Sequence, residues 1–199
     1  ILYFRIDRKR KLPVTTLLYA LGYKKKEILE TFYNFKTFDF DKKNQKWKTK
    51  FNPDDFKRPI KLRDDLINFN DNKIIIKKGS KINLPIAKKI YSDGLKHIAV
   101  TSDFFIGKYI KDNLINTSTN EVFLNSASPI KQEDLDKIVE LNINSLTIAD
   151  VDPINKGSYL IDTLNIDKNN NKEEAINDIY KVLRPGEPPS FDIAKEIFN

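Results

Sequence analysis

The chain has 199 residues, 35 Lys/Arg against 28 Asp/Glu for a formal net charge of +7, and 40% hydrophobic residues including 13 Phe and 8 Tyr. That apolar content supports a packed core and excludes wholesale disorder, and the length suffices for one larger domain or two small ones. The absence of Cys excludes disulfides, thiolate metal sites and cysteine nucleophiles, and no apolar run approaches the roughly 20 residues that span a bilayer.

The chain opens on a basic cluster, Arg5, Arg8, Lys9, Arg10 and Lys11, with no apolar segment behind it, so no secretory signal is read there. A soluble, intracellular chain is expected. The sequence contains no Met, so position 1 is expected to be a cut inside a longer protein. Pro13 then suits the first turn of a helix over 14–21, closed by Gly22. A second helix is predicted from Lys25 to about Tyr33, with Ile28, Leu29 and Phe32 on its inner face. From about Asn34 the pattern turns to strands: Phe38-Asp39-Phe40, a turn at Asp41-Lys42-Lys43-Asn44, and a partner strand Lys46–Phe51 with Trp47, Thr49 and Phe51 on one side. Ile74-Ile75-Ile76 reads as a short buried strand.

Two stretches about fifty residues apart share a helix–turn–strand pattern. Leu84–Tyr91 followed by Leu95–Val100 resembles Gln132–Val139 followed by Asn144–Ala149, either a structural duplication or a coincidence. Between them, Phe104 to Leu124 reads as short strands around a polar turn at 116–120. After the junction Asp152-Pro153 come a short helix at Tyr159–Leu164, a polar loop at 167–171, and a helix from Lys172 to Leu183 that Arg184-Pro185-Gly186-Glu187-Pro188-Pro189 stops. Another helix is expected over Phe191–Phe198. The fold class expected is α+β: a strand-rich middle with short helices, flanked by mainly helical ends.

Charge is unevenly spread. Residues 1–30 carry eight Lys/Arg and three Asp/Glu, 31–130 nineteen and eleven, and 131–199 eight and fourteen, giving +5, +8 and −6. A basic region followed by an acidic one points to two surfaces with different partners.

No catalytic constellation is read. The pairs Asp54-Asp55, Asp64-Asp65, Glu133-Asp134 and Glu173-Glu174 are sequence neighbours, which point apart on a helix or strand and make poor acid–base pairs. Asp150 and Asp152 can share a strand face, but no further metal-ligand type stands beside them. His97, the only histidine, lacks zinc or triad partners and is expected to pack at a strand edge. The glycines form no phosphate-cradling loop.

Two motifs carry more. Arg5-Ile6-Asp7-Arg8-Lys9-Arg10-Lys11-Leu12-Pro13 sets five basic residues around one Asp. It suits either phosphate contact, with Asp7 orienting an arginine or accepting from a base amino group, or a structural ion-pair knot. Arg184-Pro185-Gly186-Glu187-Pro188-Pro189 is either a rigid turn that aims Arg184 and Glu187 or a plain Pro-rich linker.

Together the two segments resemble the β subunit of bacterial DNA-directed RNA polymerase. Phe4–Pro13 followed by Leu17-Leu18-Tyr19-Ala20-Leu21-Gly22-Tyr23 is similar to that family's stretch leading out of the lobe, and Lys181–Pro189 to its return; Tyr159 to Asp167 is similar as well. The stretch from about Phe35 to Ala149 is similar mainly in pattern. The resemblance implies lobe segments at 1–30 and 152–199 around an external insertion domain at 31–151. It implies an internal piece of β, with the two flanks packed together. It implies membership of a DNA-templated nucleotidyltransferase whose magnesium is held by the partner β′ subunit, with no cofactor, metal site or catalytic residue in this piece. Arg5, Asp7, Arg8, Arg10 and Arg184 are the nucleic-acid-binding candidates it implies. DNA, the α, β′ and ω subunits and sigma factor are the implied partners, with transcription regulators at the external domain, no membrane, and a cytoplasmic, nucleoid-associated location. A free-standing basic nucleic-acid-binding or protein-interaction domain is the alternative.

Overall fold

The computed structural model describes residues 1–6, 10–151, 157–188, 194 and 196. It is α+β, as expected, and the chain divides into two compact units: Ile1–Phe35, Tyr109–Pro129 and Ile148–Asn199 form one, Lys36–Lys108 and Ile130–Thr147 the other. Tyr109–Pro129, inside the range 31–151, thus belongs by contact to the first unit.

The first unit begins with an antiparallel ribbon, β1 (Tyr3–Arg5) and β2 (Lys11–Pro13), in the register Tyr3↔Pro13, Phe4↔Leu12, Arg5↔Lys11. Alternation along the strands turns Phe4 and Leu12 towards the unit's core and leaves Tyr3, Arg5 and Lys11 exposed. Pro13 leads directly into α1 (Val14–Ala20). Gly22 ends it in the left-handed region, at φ 98°, with Gly22 N–H donating to Tyr19 O and Tyr23 N–H to Leu18 O. Next comes α2 (Lys25–Phe32), whose free end is closed by Lys24 N–H donating to the Glu27 carboxylate at 2.8 Å.

The expected packing of the chain's two ends is present. Tyr19, Ala20, Ile28 and Leu29 share a core with Leu160, Ile161 and Leu164 of α5 (Tyr159–Ile166) and with Ala175, Ile176, Ile179 and Tyr180 of α6 (Lys172–Leu183). Asn171 caps α6 by accepting from Glu174 N–H. Phe32, expected on the inner face of α2, is 49% exposed: Ile28 and Leu29 complete the buried stripe one turn earlier.

A six-stranded sheet organises the second unit, in the order β12 (Ser145–Ala149), β3 (Phe35–Asp41), β4 (Lys46–Lys50), β9 (His97–Val100), β6 (Leu66–Asn68), β7 (Ile74–Ile76). Trp47, Thr49 and Phe51 are all buried, as the alternation predicted. The Phe105 ring packs 5.0 Å from that of Trp47 and 5.2 Å from that of Phe38.

Both predicted helix–turn–strand stretches form: α3 (Leu84–Ser92) into β9, and α4 (Gln132–Glu140) into β12. Their turns are built alike. Gly94 N–H donates to Tyr91 O and Leu95 N–H to Ile90 O; Asn142 N–H donates to Val139 O and Ile143 N–H to Ile138 O. Gly94 (φ 109°) and Asn142 (φ 53°) hold the same left-handed position.

Two expectations are corrected. The strand at Ile74–Ile76 exists but is not buried, because among the described residues β7 is an edge strand paired only with β6, and Ile74 and Ile75 stay 50% and 38% exposed. Phe104 and Phe105 lie in a 3-10 turn (Ser102–Phe105), so the strands between the repeats are only β10 (Leu114–Ile115) and β11 (Val122–Leu124). His97, expected at a strand edge, is the first residue of β9 and sits opposite Lys50, in an interior strand between β4 and β6. The junction Asp152-Pro153 and most of the helix expected over Phe191–Phe198 lie outside the described residues.

Candidate functional site

The two singled-out motifs meet in the first unit. Arg10 Nη1 donates to Val182 O at 3.3 Å, across 172 positions of sequence. Val182 is the penultimate residue of α6, so the guanidinium serves one of the carbonyls a helix end leaves without an intrahelical donor. Leu2 N–H donates to the Thr163 hydroxyl at 2.8 Å, and Val14 N–H to Leu2 O at 3.1 Å, which fastens the root of the ribbon to α5 and α1.

Beyond Val182 the chain turns at once. Arg184 N–H donates to Tyr180 O at 2.8 Å, Glu187 N–H to Arg184 O, and Gly186 takes φ 93°. Arg184 Nη1 lies 3.6 Å from Glu187 Oε2, and the Tyr180 hydroxyl donates to that same oxygen at 2.9 Å. This bond, and secondarily burial, holds the Tyr180 hydroxyl above its ordinary range. The turn is therefore a fixed structure, with Arg184 exposed beside one carboxylate that shares its charge between two donors.

Arg5 is exposed on β1 and directly faces Lys11. Like charges opposite one another on a ribbon repel, by about 0.2–1 kcal/mol for cross-strand pairs, so an anion placed between them is favoured. Lys11 Nζ also stands 4.3 Å from the centre of the Tyr3 ring. Lys11 was read from the sequence as one of the five cations of the basic motif, whereas Tyr3 was not singled out, although the alternation Tyr3-Phe4-Arg5 against Lys11-Leu12-Pro13 carries the signal. Asp7 and Arg8 lie outside the described residues. Of the five candidates, the structure describes Arg5 and Arg10 on one ribbon and its flank, with Arg10 joined to α6 next to Arg184.

Beneath the ribbon's exit is a polar knot that sequence reading missed. Thr15 and Thr16, both wholly buried, donate their hydroxyls to Asp167 Oδ2, the Thr16 bond at 2.9 Å. Asn169 N–H donates to Asp167 Oδ1 at 3.0 Å, and Asn169 Nδ2 reaches Asp178 at 3.3 Å. Burial, and then the neighbouring Asp167, push the Tyr19 hydroxyl up to about 12. Among the described residues no three His, Asp or Glu side chains converge as a metal site. No described helix is long and apolar enough to cross a membrane.

No established family profile matches the chain. Individual proteins do, across its whole length. It is 40% identical over 199 residues to the DNA-directed RNA polymerase subunit beta of Ehrlichia ruminantium (strain Gardel), and 35% identical over 199 residues to that of Rhizobium leguminosarum bv. trifolii (strain WSM2304). It is 39% identical over 198 residues to that of Rickettsia prowazekii (strain Madrid E). Each match takes in 100% of this chain and 14% of the relative, so the chain spans about one seventh of their length. Matched from end to end by proteins of a single name, the chain belongs to the β-subunit family of DNA-directed RNA polymerase, as a stretch corresponding to an internal part of its longer relatives.

Proposed function

We propose that this chain contributes to DNA-templated RNA synthesis as the lobe region of a β subunit, with residues 1–30 and 152–199 as lobe and 31–151 as an external insertion. The lobe stands beside the DNA channel. Arg5, Asp7, Arg8, Arg10 and Arg184 form its nucleic-acid side, and transcription regulators dock on the external part. In this reading the chain supplies no catalytic group; the reaction's magnesium is held by β′, and assembly is with α, β′, ω and sigma factor in the cytoplasm, at the nucleoid. The observation that supports it most is the bond from Arg10 to Val182, which joins two family-like motifs across 172 positions of sequence. A chimera tests it. The corresponding stretch of a relative's β subunit is replaced by this chain and the polymerase is reconstituted. Templated RNA synthesis by the chimera, with none from the isolated chain, is expected. Assembly without RNA synthesis, or magnesium-dependent nucleotide incorporation by the chain alone, sinks the proposal.

A further inference from the structure

The first unit contains an open cavity of about 660 Å³ to which Lys25, Lys111, Asn113, Asn125, Ser128 and Asn165 contribute. Its cations are unequally compensated. Lys111 Nζ lies 2.8 Å from Glu30, and that bond raises the ammonium above its ordinary range while lowering the carboxyl. Lys26 has Asp112 at 3.9 Å. Among the described residues Lys25 has no carboxylate within ion-pairing distance, although it is half-buried. Burial alone holds its ammonium below the ordinary lysine range. Lys25 is also the first residue of α2, where the helix end itself carries partial positive charge. A half-buried cation in such a place is stabilised by an anion from outside.

Among the described residues three of the other lining side chains keep donors free, while those of Ser126, Asn165 and Asn170 are engaged by Lys111 O, Ala127 O and Lys168 O. Asn113 Oδ1 accepts from Ser126 N–H at 2.7 Å, and among the described residues its Nδ2 has no acceptor. The side chains of Asn125 and Ser128 have no partner among the described residues. Two carboxylates also line the cavity: Asp167 has both oxygens engaged by Thr15, Thr16 and Asn169, and Asp112 is paired with Lys26. A carboxylate offers two acceptor atoms, whereas a phosphate group offers three or more to donors spread around it. The volume suits a nucleotide-sized solute.

We propose that this cavity binds a small phosphate-bearing solute, with Lys25 as counter-ion and Asn113, Asn125 and Ser128 as hydrogen-bond donors. The test is a titration of the 199-residue chain with inorganic pyrophosphate at constant ionic strength, read by NMR at the lysine ammonium groups. A saturable shift confined to Lys25 and its cavity neighbours is expected. Lys25→Gln should weaken binding about tenfold or more, the scale of one lost charge-assisted hydrogen bond. Asn125→Ala with Ser128→Ala should weaken it severalfold while the backbone amide spectrum stays unchanged; this variant carries the test if Lys25→Gln fails to fold. A shift that never saturates, that sodium chloride reproduces, or that survives the variants unchanged overturns the proposal. So does saturation of the cavity signals by duplex DNA but not by pyrophosphate.

Discussion

At the scale of single residues, Asp167 is the group on which the first unit's polar interior depends. It accepts from two fully buried hydroxyls and from Asn169. Asp167→Ala leaves those donors buried without an acceptor and should cost about 2–4 kcal/mol, from the desolvation penalty of orphaned hydrogen-bonding groups; urea unfolding measures it. Tyr19 sits beside this knot and makes a pH prediction. Its folded-state pKa is raised from 10.0 to about 12, so its stabilising contribution is complete below pH 10 and lost as pH rises towards 12. The loss of stability across that window should be shallower in Tyr19→Phe than in the parent chain, and equal slopes would show that Tyr19 is not the group responsible. None of this was legible in the sequence. Thr15, Thr16 and Asp167 are ordinary polar residues about 150 positions apart, and only the packing of α1 against α5 and α6 brings them together.

Elements were more legible where local chemistry sets their limits. Pro13 and Gly22 bracket α1, and Asn171 starts α6, because the backbone there needs a fixed φ, a left-handed residue or a side-chain acceptor. The depth of β7 was not legible: three isoleucines read as interior, but an edge position is decided by which strands pair, a non-local matter. The two helix–turn–strand stretches allow an element-scale test. A Cβ at Gly94 would meet nothing within 4 Å, so Gly94→Ala probes backbone conformation alone and should cost about 1–2 kcal/mol. Gly94→Asn should cost clearly less, since Asn142 already fills the matching position of the other turn. Equal costs for Ala and Asn would contradict the shared turn geometry.

At the scale of the whole molecule, charge and candidate site part company. The second unit carries 20 Lys/Arg against 13 Asp/Glu, and the first 15 against 15, so the entire +7 lies in the second unit. Non-specific attraction of the free chain to DNA at low salt should therefore come from the second unit and survive Arg5→Ala with Arg184→Ala. The site in the first unit is expected to matter only where an assembled polymerase brings DNA to it. The deciding measurement is the salt dependence of promoter-complex stability in the reconstituted enzyme bearing Arg5→Ala. Loss of one phosphate contact should lower the slope of log affinity against log salt by about 0.9 on duplex DNA or about 0.7 on a single strand, at unchanged melting temperature. An unchanged slope with a lowered melting temperature would mean that the ribbon's charge holds the fold together and does not face nucleic acid.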